Sequence, residues 1–171
     1  MERLYMSEFP GTRYRTCWVK EESDSDGSKQ PRALHCSKDA FEYVKAGLVD
    51  MDREVMVSIL LDTKNVPLGV NLVSIGDLNS AVVHPREVFK PAILASARGL
   101  VLAHNHPSGD PGPSSEDRQL TIRLKQSADI LGINLLDHII VGREGYHSMR
   151  DSGTIDWRPF EIPLQPKGTQ S

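Results

Sequence analysis

The 171-residue chain is predicted to fold as one α/β domain, a mixed β-sheet flanked by helices. Three observations predict it. Apolar, β-branched runs such as EVMVSILL and LVLA alternate with segments of helical periodicity. Proline and glycine punctuate the joins between them. Apolar residues make up 39% of the chain against 25% charged, which suits one ordinary hydrophobic core.

Residues 1–33 stand apart. Lys20 to Pro31 reads KEESDSDGSKQP, with no apolar anchor, so a solvated, partly disordered segment is expected there. Arg13 to Val19 could add a short peripheral strand. From 34 to 157 the pattern becomes regular. Ser37 can cap a helix to about Gly47, with Phe41, Val44 and Leu48 along one face. Glu54 to Leu61 reads as a buried strand, Asp62 to Asn65 as a turn, and Val66 to Ile75 as the returning strand. Another short strand is expected near Ala81 to Val83. Pro85 can open a helix to about Ala97, bent or interrupted at Pro91 and ended by Gly99. Leu100 to Ala103 is wholly apolar, as a deep strand is. Ser115 to Leu131 reads as a long helix stopped by Gly132 as a C-cap. Strands at Ile133 to Val141 and Tyr146 to Met149 complete the domain, and the proline-containing residues 158–171 form a surface tail.

Composition also excludes several roles. The net charge is -3, from 20 Lys plus Arg against 23 Asp plus Glu, a poor footprint for neutralising DNA phosphates. Cys17 and Cys36 lack ligand-like spacing and are too few for a disulfide scaffold. No run approaches the length of a membrane span, so no membrane partner is expected. The opening MERLYMSEFPG has no extended apolar core, so it does not read as a signal peptide and a cytoplasmic location is expected.

The chemistry gathers after the LVLA strand, in HNHPSGDPGPSSED from His104 to Asp117. His104 and His106 are two apart, so in extended backbone their imidazoles point to one side. The Gly- and Pro-rich loop can turn back and deliver Asp117 in the first turn of the next helix. There Leu120, Leu124, Ala128 and Leu131 mark the inward stripe, and Asp117 falls on it, whereas Glu116 falls off it toward solvent. An inward carboxylate needs compensation, which a metal ion supplies. Two imidazoles and one carboxylate leave a fourth position open, the catalytic form of a zinc site. Ser114 and Asp117 equally resemble a capping box, a purely structural arrangement. A base for the metal-activated water is also required. Glu54, at the head of the first buried strand, is the stronger candidate. Its rival Glu87 sits near a helix N-terminus, where the helix dipole alone explains it. Asp110 could hold the loop or assist at its rim.

The His104-x-His106, Ser114, Asp117 spacing resembles the signature of the JAB/MPN metalloenzyme (JAMM) superfamily of metal-dependent peptidases and isopeptidases. REVMVSILLDTKN, LNSAVVHPREVFKPA, LVLAHNHPSGDPGPSSED and LGINLLDHIIVG, in that order, are similar to its RadC-like branch, over about Ser37 to Ser152. The resemblance implies a cytidine-deaminase-like arrangement around a mixed sheet and one zinc ion on His104, His106 and Asp117. It implies Glu54 as the acid/base and Ser114 as a donor to the oxyanion, acting on a peptide or isopeptide substrate. Asp137 and His138 are family-typical residues, and His138 is placed outside the ligand set as a hydrogen-bonded core residue. RadC-like proteins commonly carry a helix-hairpin-helix-like region before the metal domain. Fewer than forty residues precede Ser37, so the chain reads as a shorter form. The alternative is an accessory protein in DNA repair or mobile-element biology, acting through nucleic-acid or protein interaction. Arg86, Lys90 and Arg98 are the basic residues that could serve it. Oligomeric state is not legible.

Overall fold

In the computed structural model, residues 32–76 and 83–159 are described. The elements run α1 (Ser37–Leu48), β1 (Val55–Leu61), β2 (Pro67–Ile75), α2 (Pro85–Leu94), β3 (Gly99–Asn105), α3 (Ser115–Leu131), β4 (Asn134–Val141) and β5 (Tyr146–Ser148). The sheet order is β2-β1-β3-β4-β5. Among the described residues only β3 and β4 are parallel, with α3 as the crossover that parallel neighbours require. The other neighbours are antiparallel, so the sheet is mixed and the predicted α/β class is observed.

Strand alternation sorts the core into two faces. Val57, Ile59, Val101, Ala103 and Ile139 meet α1 through Phe41, Val44 and Leu48. Met56, Leu60, Leu100 and Leu102 meet α2 and α3 through Phe89, Leu120 and Leu124. All seven residues of β1 and of β3 are buried, which is why both read as continuous apolar runs. Edge strand β2 instead leaves Leu68, Val70, Leu72 and Ile75 exposed. Among the described residues, no helix is long and apolar enough to cross a membrane.

Several element ends differ from expectation. Cys36, not Ser37, is the N-cap of α1, and the Asp39 carboxylate accepts hydrogen bonds from the His35 and Cys36 N–H groups. Ser37 instead hydrogen-bonds the Tyr146 hydroxyl through its Oγ, at 3.1 Å. Helix α2 stops at Leu94 rather than Ala97, because Ser96 takes a left-handed conformation (φ 52°). Pro91 lies within that helix. Gly99 therefore does not end α2 but opens β3. A Cβ there would meet the Asn134 carbonyl oxygen at 2.9 Å, so glycine allows the close approach of β4. Gly132 is left-handed (φ 68°) at the end of α3, where a C-cap glycine was expected. Most of the expected Ala81 to Val83 strand lies outside the described residues, and Val83 itself is in no strand. The possible strand at Arg13 to Val19, Cys17 and the end of the C-terminal tail also lie outside them.

Candidate metal centre

His104 stands near the end of β3, on the same face as Leu100 and Leu102, and is completely buried. His106 lies just past the strand, where its N–H donates to the Val141 carbonyl at 3.0 Å and prolongs the pairing with β4. Asp117 sits in the first turn of α3, whose buried side chains are Asp117, Leu120, Thr121, Leu124, Lys125 and Ala128. The inward stripe of that helix therefore lays Asp117 against the two histidines.

His104 Nε2 lies 3.0 Å from His106 Nε2 and 3.2 Å from Asp117 Oδ1, and His106 Nε2 lies 3.4 Å from Asp117 Oδ2. Tetrahedral ligands at zinc distances of about 2.0–2.1 Å stand about 3.3 Å from one another. With one donor atom from each residue the three lie within 4.8 Å of one another, close to that spacing, so this donor set could hold a metal ion.

Asp117 also keeps its structural role. Ser114 is the N-cap of α3: its Oγ accepts from the Asp117 N–H at 3.0 Å and donates to Asp117 Oδ2 at 2.6 Å. The Ser114 N–H donates to the same Oδ2 at 2.8 Å. Capping box and ligand cluster, alternatives in the sequence, coexist on one carboxylate. Burial pushes the Asp117 carboxyl up, but the Ser114 hydroxyl and the His104 and His106 imidazoles, which act as donors to it when protonated, outweigh burial and hold the group far below the usual carboxylate range. The same contact with Asp117 raises the His106 imidazole, against the opposing effect of burial.

His106 is further oriented by its loop. Its Nδ1 lies 2.7 Å from the Asp110 carbonyl oxygen, which can only accept, so Nδ1 carries a proton and the neutral, metal-binding ring has a bare Nε2. The Asp110 carboxylate accepts from the Gly112 N–H at 2.9 Å, holding the loop. Glu54 immediately precedes β1, half-buried. With His106, Ser114, Glu116 and Asp117 it lines a cavity of about 230 Å3. Glu116 is exposed, as its place off the stripe predicted, yet it reaches the cavity rim. Glu87 is exposed in the first turn of α2, pairs with Arg86 at 3.0 Å, and does not line that cavity. Of the three basic residues singled out, Arg86 is thus turned to Glu87 and Arg98 to the Gly132 carbonyl.

Two neighbours, Asn105 and Thr121, were not singled out by sequence, and His138 was placed only as a hydrogen-bonded core residue, which it is. Asn105, between the histidines, is 2% exposed and faces away from them. Its Oδ1 accepts from the Val55 N–H at 2.8 Å, and its Nδ2 donates to the Arg53 carbonyl at 3.0 Å. It therefore clamps the backbone on both sides of Glu54. Asn105→Ala is expected to lower the unfolding free energy by roughly 2–3 kcal/mol, since buried backbone groups lose their partners. A urea midpoint equal to that of the native chain would remove the clamp. Thr121 is the other, and with His138 it is buried behind His104. Thr121 did carry a signal, four residues after Asp117 on the inward stripe. Desolvation pushes the fully buried His138 imidazole well below the ordinary histidine value.

A family model described as the RadC-like JAB domain matches residues 34–154. A UPF0758 protein of Thermotoga maritima is 46% identical over 125 residues, covering 73% of this chain and 56% of that protein. One from Desulforamulus reducens is 50% identical over 122 residues, 71% of this chain and 54% of its own length. One from Methanosarcina acetivorans is 44% identical over 128 residues, 74% and 56% respectively. The chain spans about half the length of the curated relatives it matches.

Proposed function

The chain belongs to the RadC-like JAB domain family, and from that premise we propose that it is a zinc-dependent hydrolase of peptide or isopeptide bonds. The observation that carries the reading is the cluster of His104, His106 and Asp117, of which His106 and Asp117 line a cavity together with Glu54 and Ser114. When bound there, zinc supplies Lewis-acid chemistry, bringing the pKa of water down toward about 7 and polarising a carbonyl.

The protein's own groups do the remaining work. His104, His106 and Asp117 would hold the ion, with His104 and Asp117 both buried. Glu54 takes the proton of the attacking water on its carboxylate and returns it to the leaving amine. The Ser114 hydroxyl donates to Asp117 Oδ2 at rest. To serve the oxyanion it turns that proton into the cavity, while the Ser114 N–H stays on Oδ2 and preserves the helix start. Such a donor is worth about 3–4 kcal/mol of transition-state stabilisation in well-studied hydrolases.

The deciding experiment is a screen of the zinc-loaded chain against peptide and isopeptide libraries, with and without a chelator. Cleavage that the chelator stops and added zinc restores is the expected result. A chain that binds zinc, cleaves nothing and instead binds DNA with a steep salt dependence overturns the hydrolase reading in favour of an interaction role.

A further inference from the structure

Behind the candidate ligands runs a buried file of hydrogen bonds with one consistent set of proton positions. Sheet register creates it. In the parallel β3–β4 ladder Leu102 is opposite His138, so His138 lies on the same face as His104, one alternate position back. Helix α3 covers that face and sets Thr121 against His138. His104, Thr121 and His138 are all 0% exposed, so no solvent molecule is at hand to resolve a mismatched donor.

The chain can be read from its far end. Thr121 Oγ1 lies 2.6 Å from the Asp117 carbonyl oxygen. A carbonyl only accepts and is a nearer, stronger acceptor than the Met149 sulfur at 3.4 Å, so the single hydroxyl proton of Thr121 points there. His138 Nδ1 lies 2.6 Å from the same Oγ1 and must then be the donor in that pair. A neutral imidazole has one N–H, so His138 Nε2 is a bare acceptor. His104 Nδ1, 2.8 Å from it, must donate. What remains on His104 is a bare Nε2, facing His106 Nε2 and Asp117 Oδ1.

We propose that His138, itself held through Thr121 by the main-chain carbonyl of Asp117, fixes the tautomer and ring orientation of His104, and so is a positioning residue of the metal centre. The inference rests on the metal-binding part of the proposed function and not on the reaction. It gives the two histidines parallel arrangements. His106 takes its tautomer from the Asp110 carbonyl in the loop, and His104 takes its own from the first turn of α3. Both rings present bare Nε2 atoms 3.0 Å apart beside a carboxylate. Lone pairs at that distance repel unless a cation lies between them.

The test reads proton positions and zinc affinity directly, with no substrate. Long-range proton–nitrogen spectra of the full chain, labelled with 15N-histidine, should show His138 as the neutral Nδ1–H tautomer with and without zinc. A proton on His138 Nε2 overturns the proposal. By zinc competition, His138→Leu should weaken binding about 10- to 100-fold, whereas His138→Gln, whose Oε1 can still accept from His104, should stay within about threefold. Equal weakening by both variants assigns His138 to packing alone and overturns the proposal. Thr121→Val, close in shape, covers the case in which His138→Leu does not fold. It should weaken zinc by roughly tenfold, and native affinity overturns the proposal. A native chain that binds no zinc overturns both this inference and the metal reading. Zinc binding without peptide cleavage overturns only the hydrolase reading.

Discussion

Glu54→Gln is expected to keep one zinc per chain and to lose between about a hundredfold and ten-thousandfold of its turnover, the usual share of a positioned acid/base. Glutamine preserves the size and hydrogen-bonding reach of the side chain but cannot accept a proton. Glu54 lines the cavity without belonging to the His104, His106 and Asp117 cluster, so the metal should remain. Zinc measured per chain and turnover measured on the same sample separate the two roles. Loss of zinc would make Glu54 a ligand, and retained turnover would sink the base assignment.

Asp117→Ala is expected to abolish zinc binding at micromolar metal and, in addition, to destabilise the metal-free chain by about 1 kcal/mol, the usual worth of a helix cap. Both effects follow from one carboxylate. Oδ1 faces His104, while Oδ2 accepts from the Ser114 N–H and hydroxyl. Asp117→Asn should divide them, because its carbonyl oxygen can still accept from the Ser114 N–H while the charge that holds the ion is gone. That variant should melt close to the metal-free native chain. Zinc at a hundred times its dissociation constant should stabilise the native chain by about 2.7 kcal/mol and leave both variants unmoved. A zinc-dependent rise in the melting temperature of Asp117→Ala would remove Asp117 from the ligand set.

What the sequence made legible was local periodicity. Two-residue alternation put His104 and His106 on one side of a strand, and the three-to-four spacing of Leu120, Leu124 and Ala128 turned Asp117 inward. Both patterns depend only on near neighbours, so the cluster could be assembled before any contact was known. Asn105 looked like a spacer, because its partners Arg53 and Val55 lie some fifty residues earlier in the chain. The His138 contact with His104 needed the register of β3 on β4, which no single strand encodes. Element ends were misplaced where one residue's backbone decided them, as at Ser96, whose left-handed φ closes α2 before Gly99 is reached.

The division of Asp117 between helix start and ligand cluster has a consequence for descent. In a lineage that gave up the chemistry, His106 and Glu54 would be free to drift, since neither anchors the start of a helix. Asp117 would not, because the first turn of α3 still needs an acceptor for the Ser114 N–H. An aspartate at this position in a relative is therefore a poor witness to activity. The pair to inspect is His106 with Glu54, neither of which holds the start of a helix.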